Sequence, residues 1–254
     1  MLVLAVATFI SLALAHPPME VKMHEAVGML VNQIDKAQLT SKPILRMSEV
    51  LKDVKGVAGD KIVLRCEATT TPAAVFHWTF NGKRVQGDKD LNVYEKVINI
   101  GKPTVESGIV ASTYTIPCAS QADVGNYKCI AYNGHTTIES SAEVSIEGEE
   151  PQCKSNRRTP PTIVQYTDSR FEMEGNTGTL VCRTDRLATI AWTFEGEILN
   201  NSEEKYEVMP NGDLLVKRLE WSDMGTYECI ASNKYGEDRV ETFLYPSKKK
   251  VTVQ

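Results

Sequence analysis

The sequence predicts an all-β chain made of two tandem β-sandwiches, and two observations carry that prediction. One short grammar occurs twice: a cysteine, a tryptophan ten or twelve residues later, then Asp-x-Gly-x-Tyr-x-Cys. Its first copy is Cys66, Trp78 and Asp123-Val-Gly-Asn-Tyr-Lys-Cys129, and its second is Cys182, Trp192 and Asp223-Met-Gly-Thr-Tyr-Glu-Cys229. Around each copy lie short runs in which apolar and polar residues alternate, the period-two signature of half-buried strands.

The elements follow in chain order. Leu2 to Ala15 is an apolar run ending Ala13-Leu-Ala15, which reads as a signal peptide (1–15) cleaved before His16. It is shorter than the roughly 20 apolar residues that a membrane-spanning helix needs. Residues 16–42 form an N-terminal segment in which Met23, Val27, Leu30, Val31 and Ile34 recur at helical spacing. A short amphipathic helix docked on the first domain is expected there, although Gly28 weakens it. The first sandwich is assigned to residues 43–147. Lys61–Cys66 alternates with Ile62, Leu64 and Cys66 inward, and Val75–Phe80 places Phe76, Trp78 and Phe80 inward. Asn81-Gly82 is a hairpin turn. Ser112–Ile116, Asn126–Tyr132 and Ser141–Ile146 complete the set. A linker (148–160) rich in charge, Gly and Pro precedes a second sandwich over 161–246, with strands at Thr179–Cys182, Ile190–Phe194, Leu214–Val216, Thr226–Ser232 and Val240–Leu244. A basic tail (247–254) ends the chain. The spacing from Cys66 to Cys129 exceeds that from Cys182 to Cys229, so the first domain carries extra chain, expected between Val85 and Val110.

The doubled string resembles that of immunoglobulin domains of the I-set or C2-like type. That resemblance implies bridges Cys66–Cys129 and Cys182–Cys229, with Trp78 and Trp192 packed on them, and Tyr127 and Tyr227 bonded back to the turn below. A bridge such as Cys66–Cys129 would stabilise its domain by roughly 4 kcal/mol in the chain-entropy model. Cys118 and Cys153 are then left over. The end of the strand before Cys118 and the end of the last strand lie at the same pole of such a sandwich, so a Cys118–Cys153 bridge is expected. Pairing between chains, or free thiols, are the alternatives. The bridge would tie the linker to the first domain and leave residues 154–159 as a hinge.

Several functions are excluded by composition. A net charge of −5 offers no reason to expect nucleic acid. His16, His24, His77 and His135 show no metal-ligand spacing, and no Cys-x-x-Cys occurs. With the cysteines assigned to bridges no thiolate nucleophile remains, so neither enzyme activity nor a cofactor is expected. Six cysteines suit an oxidising compartment. The end of the chain carries no lipid-anchor signal. Secretion, without a membrane anchor, is therefore expected.

The remaining candidates are surfaces. Asn200-Asn-Ser202 is a glycosylation sequon in a predicted loop, at Asn200. Lys154, Arg157 and Arg158, with Lys248–Lys250, are small basic clusters that would contact heparan sulfate only by charge. On the outer face of the first domain, strand parity points Lys128, Ile130 and Tyr132 outward, beside His77 and Thr79, with Glu143 and Ser145 across on the last strand. An outward Ile beside an outward Tyr is a candidate protein interface.

Over its whole length beyond the signal, the chain resembles small secreted two-immunoglobulin-domain proteins, the nematode zwei-Ig group above all. The residues behind this are the paired strings, Trp78-Thr-Phe-Asn-Gly-Lys83, and Asn211-Gly-Asp-Leu-Leu215. The resemblance implies recognition of extracellular or cell-surface proteins of neurons, holding axons and cell bodies in position. A similar insect protein binds insulin-like peptides, which makes a soluble hormone carrier the alternative. For that, the amphipathic helix or the domain interface would supply an apolar groove.

Overall fold

Alternation in the sequence becomes alternation in burial. In the computed structural model, which describes residues 39–87, 91, 93–149, 151, 153, 158–201 and 204–248, strand β3 (Ile62–Thr71) buries Ile62, Leu64, Cys66 and Ala68 and turns the residues between them outward. The expected signal peptide and nearly all of the expected N-terminal helix lie outside the described residues.

The first unit comprises β1 (Ile44–Glu49), β2 (Val54–Val57), β3, β4 (Val75–Phe80), β5 (Lys83–Gly87), helix α1 (Val93–Ile98), β6 (Ser107–Ile116), β7 (Gly125–Tyr132) and β8 (Thr137–Glu147). The second comprises β9 (Ile163–Met173), β10 (Gly178–Leu180), β11 (Cys182–Thr184), β12 (Thr189–Phe194), β13 (Glu197–Ile198), β14 (Tyr206–Val208), β15 (Leu214–Val216), β16 (Gly225–Asn233) and β17 (Gly236–Ser247). One core forms around Cys66, Phe76, Trp78, Tyr127 and Cys129. The other surrounds Cys182, Trp192, Leu214, Tyr227 and Cys229. Removal of this apolar surface from water, at about 25 cal/mol per Å², is the main driving term for each unit.

The repeated string does in both units what its chemistry suggests. Tyr127 Oη donates to the carbonyl of Asp123 at 3.1 Å, and Tyr227 Oη to that of Asp223 at 3.1 Å. The Asp123 carboxylate accepts Ser120 N–H at 3.0 Å, and that of Asp223 accepts Glu220 N–H at 2.7 Å. Burial, first, and then the nearby Asp123 charge push the Tyr127 phenol up. It therefore stays a neutral donor. Gly125 and Gly225 adopt φ of 151° and 157°, and a Cβ there would meet the ring edge of Phe80 or Phe194 within 3 Å. Asn81 and Gly82, at φ 47° and 79°, make the expected hairpin turn between β4 and β5.

The two sandwiches are not strung on a linker. β9 pairs antiparallel with β6 from Ser107↔Phe171 to Ser112↔Gln165. Its other edge pairs β11 at one end and β17 at the other. A single nine-stranded sheet, β1-β3-β6-β9-β17-β16-β12-β13 with β11 on β9, therefore runs from the first unit into the second. A five-stranded sheet, β2-β8-β7-β4-β5, closes the first sandwich, and a three-stranded sheet, β10-β15-β14, closes the second. This corrects the expected hinge over 154–159. Backbone pairing between β6 and β9 fixes the two units against one another, whatever the linker does. The extra chain of the first domain contains α1 and the stretch leading into β6.

Candidate functional site

The candidate face on the first sandwich is assembled by the β4–β7–β8 register. His77 pairs with Ile130 and Thr79 with Lys128, while Val75 stands opposite Tyr132. His77, Thr79, Lys128, Ile130 and Tyr132 thus share one sheet face, all half-buried. Across on β8, Lys128, Ile130 and Tyr132 meet Ser141, Glu139 and Thr137. Glu143 and Ser145, expected there from parity, sit further along: Glu143 opposes Asn126 and accepts from its Nδ2 at 2.9 Å, and Ser145 Oγ donates to the Val54 carbonyl at 3.3 Å. Parity was right but register was not, because parity cannot fix where a strand slides. Lys128 Nζ reaches Glu139 at 2.8 Å, so this charge is paired in the plane of the face. Tyr132 Oη donates to Gly134 O at 3.2 Å, which holds the ring over the sheet edge. The surface combines a fixed aromatic, an aliphatic side chain and a paired charge.

A second constellation, which sequence reasoning missed, lies at the junction. Arg170 and Glu172 on β9 are 1% and 0% exposed. Arg170 pairs with Glu95 of α1 and lies 3.3 Å from Glu172. Glu172 accepts backbone N–H groups of Val105, Glu106 and Met173 at 3.0, 3.0 and 2.7 Å, and Asn176 Nδ2 at 3.1 Å. Lys96 Nζ lies 3.7 Å from Glu106. Asn99 closes the seam, donating to Thr177 O at 2.8 Å and accepting Thr177 N–H at 2.9 Å. Burial, first, raises the Glu95 carboxyl to about 7 against the opposing pull of Arg170. For Arg170, burial works downward, but Glu95, Glu172 and Glu106 together hold its pKa above the ordinary value. Such a network costs desolvation and returns geometric uniqueness only when every member is satisfied. The sequence misleads here: Arg170 and Glu172 share one parity of β9 and are buried, while the apolar Phe171, on the other, is exposed.

At the other end of the seam a cleft of about 450 Å³ opens between the units, lined in part by Phe76, Val85, Ser112, Gln165 and Arg183. Gln165 Oε1 accepts Phe76 N–H at 3.1 Å, while its Nε2, buried, has no hydrogen-bond partner among the described residues. The seam is therefore charged at one end and mixed at the other. Among the described residues, the cleft at the domain interface is lined by both apolar and polar side chains.

The other candidate positions are scattered. Cys66–Cys129, Cys182–Cys229 and Cys118–Cys153 are joined, with Cα separations of 6.6, 6.5 and 6.0 Å. Asn200 is exposed at the end of the segment after β13. Arg158 is exposed, and Lys248 stands 4.6 Å from the centre of the Trp221 ring, while Lys154, Arg157, Lys249 and Lys250 lie outside the described residues. Among the described residues, no group of three or more His, Cys, Asp or Glu side chains is placed to hold a metal ion, and no helix is long and apolar enough to cross a membrane.

Comparison with known proteins agrees with this architecture. The immunoglobulin-domain family profile matches residues 42–133 and 160–233. The chain is 51% identical over 237 residues to Zwei Ig domain protein zig-3 of Caenorhabditis elegans, covering 93% of this chain and 94% of that one. It is 50% identical over 236 residues to zig-4 of the same organism, covering 93% of each. The crystal structure of neural ectodermal development factor IMP-L2, a Drosophila melanogaster protein, superposes with a TM-score of 0.63 at 23% identity. That match covers 82% of this chain and 97% of the other.

Proposed function

Since this chain belongs to the zwei-Ig family of proteins with two immunoglobulin domains, we propose that it recognises extracellular or cell-surface proteins of neurons, and so helps to keep axons and neuronal cell bodies in place. Family membership supports a role in protein–protein recognition rather than catalysis. The observation that carries the finer reading is the shared sheet. Through the β6–β9 pairing, two sandwiches offer one surface of fixed shape, and a preorganised surface binds without having to order itself first. The contact surface we assign is the face bearing His77, Thr79, Lys128, Ile130 and Tyr132.

The test is binding of the labelled, purified protein to cultured neurons, comparing wild type with the double variant Ile130→Lys/Tyr132→Lys. A central aromatic and aliphatic pair truncated from an interface costs about 2 kcal/mol or more. At least a tenfold loss of binding is therefore expected, with an unchanged melting temperature. Equal binding by the two proteins would remove this face from the reading. Capture of an insulin-type peptide in a pull-down, with no neuronal binding by either protein, would replace the reading with that of a hormone carrier.

A further inference from the structure

One buried amide at the seam has a donor left over. Gln165, 4% exposed, lines the cleft of about 450 Å³ between the units, a volume within the range of ligand-holding clefts. Its Oε1 accepts Phe76 N–H at 3.1 Å, and that bond fixes which end of the amide is the oxygen. Nε2 is therefore the end with no hydrogen-bond partner among the described residues. Buried polar groups in folded proteins are nearly always paired, so an orphaned donor beside a cavity points to an acceptor that enters it.

The wall around that donor says what the entrant is. Its charges are already paired: Arg183 lies 3.0 Å from Asp213, and Asp185 lies 2.6 Å from Arg186 while accepting Thr162 N–H at 2.9 Å. Gln86 Nε2 donates to Thr113 O at 2.7 Å, and Ser112 Oγ both donates and accepts within the protein. A charged ligand would shed its water here without gaining an unpaired counter-ion among the described residues, so a neutral one is favoured. Val85 and Val164 supply apolar wall. Val85 is the bulged residue of β5, since Arg84 stands opposite Thr79 and Gln86 opposite Trp78. Such a bulge re-aims a side chain, and Val85, 39% exposed, lines the cleft. β5 is also the last strand of its sheet, and its bulge, with Lys83 and Arg84, guards that edge against addition of a whole strand. The fitting occupant is short, uncharged and partly apolar, and it carries an acceptor.

We infer that the cleft receives a short uncharged peptide segment of a partner protein, with one apolar side chain packing on Val85 and Val164 and one backbone carbonyl accepting from Gln165 Nε2. The inference takes from the proposed function only that the partner is a protein. The cleft shares no residue with the face bearing Ile130 and Tyr132, so the two sites succeed or fail separately.

The test titrates the isotope-labelled full chain with the blocked tripeptide acetyl-Ala-Leu-Ala-methylamide and follows it by NMR. The Gln165 side-chain amide signals, assigned by their loss in Gln165→Met, should shift saturably together with the backbone amides of Val85 and Thr184. Acetyl-Ala-Asp-Ala-methylamide should bind at least about tenfold more weakly, because its charge is left uncompensated. Gln165→Glu keeps an acceptor for Phe76 N–H but turns the other end from donor to acceptor, and should cost about tenfold in affinity, near the worth of one hydrogen bond. Val85→Asp, at an exposed strand edge, should give a similar loss without touching the buried amide. Ile130→Lys/Tyr132→Lys should leave the titration unchanged. Gln165 signals that stay in place through the titration would mean that water alone serves this amide, and would overturn the inference. Equal affinity for the two peptides would overturn it as well.

Discussion

Ser112, inside the first sandwich, donates its hydroxyl hydrogen to the carbonyl of Val164, in the first strand of the second, at 2.9 Å. The same Oγ accepts the indole N–H of Trp78, also at 2.9 Å. The tryptophan that packs against the Cys66–Cys129 bridge is thus two hydrogen bonds from the neighbouring unit. In the second sandwich the equivalent Trp192 N–H donates at 3.0 Å to Gly212 O, within its own unit. Two copies of one sequence string have been given different partners, and the difference builds the junction.

Ser112→Ala should therefore be costly beyond its lost volume. It leaves the Trp78 N–H buried without an acceptor and removes the donor to Val164. An unpaired buried donor costs about 1–3 kcal/mol. A shift of 1 kcal/mol moves the melting temperature by about 2–4 °C for a chain of this size. A fall of several degrees is expected by differential scanning calorimetry, and Trp192→Phe should not alter the β6–β9 amides that exchange faster in Ser112→Ala. Unchanged melting on removing Ser112 would show that the bridge contributes nothing.

Arg170 offers a sharper experiment. Replacing it by Ala leaves Glu95, Glu172 and Glu106 facing one another without their shared cation. Breaking a buried ion pair by removing one partner costs about 3–5 kcal/mol. Because the cluster spans α1 and β9, the loss falls on the junction, and two separate unfolding transitions are expected in the variant against one expected in wild type. Arg170→Met together with Glu95→Leu should recover much of the loss, since apolar replacements of similar volume avoid the desolvation cost. A single transition of unchanged midpoint in Arg170→Ala would refute the account.

How far the sequence could be read follows from what each element buries. Strands such as Val75–Phe80 and Leu214–Val216 were legible because one face or the whole strand is apolar, and the doubled Cys–Trp–Tyr–Cys string fixed their order. β9 and α1 were not. β9 ends Asp-Ser-Arg-Phe-Glu-Met, and charged residues are rightly expected outside unless something unseen pairs with them. Its partner is Glu95, 75 residues away in a six-residue helix too short to show a period. Each half of the junction reads as solvent-exposed until the other is present. The candidate face on β4 and β7 was legible for a different reason: each strand carries its own alternation, and parity alone sorts its inward from its outward residues. Only the slide of β8, which parity does not set, was misplaced.

Acid should tighten the junction. The Glu95 carboxyl is raised from 4.5 to about 7 by burial. A raised folded-state value means that the docked form holds its proton more tightly than the unfolded chain does. The stabilisation from Glu95 is thus complete below about pH 4.5 and is lost as pH rises through about 7, with an upper bound of about 3 kcal/mol. Urea midpoints measured from pH 5 to pH 8 should decline in wild type, and the part of the decline due to this group should vanish in Glu95→Gln. A profile identical in the two proteins would place the titration elsewhere.

The Cys118–Cys153 bridge spans 35 residues, and in the chain-entropy model such a closure contributes about 3–4 kcal/mol. In a tandem of freely linked domains, this bridge would also limit the interdomain angle, and its removal would let the units swing apart. The shared sheet predicts otherwise. β6 and β9 are joined by their own ladder, and α1 and β9 by the Arg170–Glu95 pair, neither of which needs the bridge. Cys118→Ser/Cys153→Ser should lower the urea midpoint yet leave the small-angle scattering profile of the folded protein unchanged. A larger radius of gyration in the variant would mean that the covalent tether, rather than the β6–β9 pairing, sets the interdomain geometry.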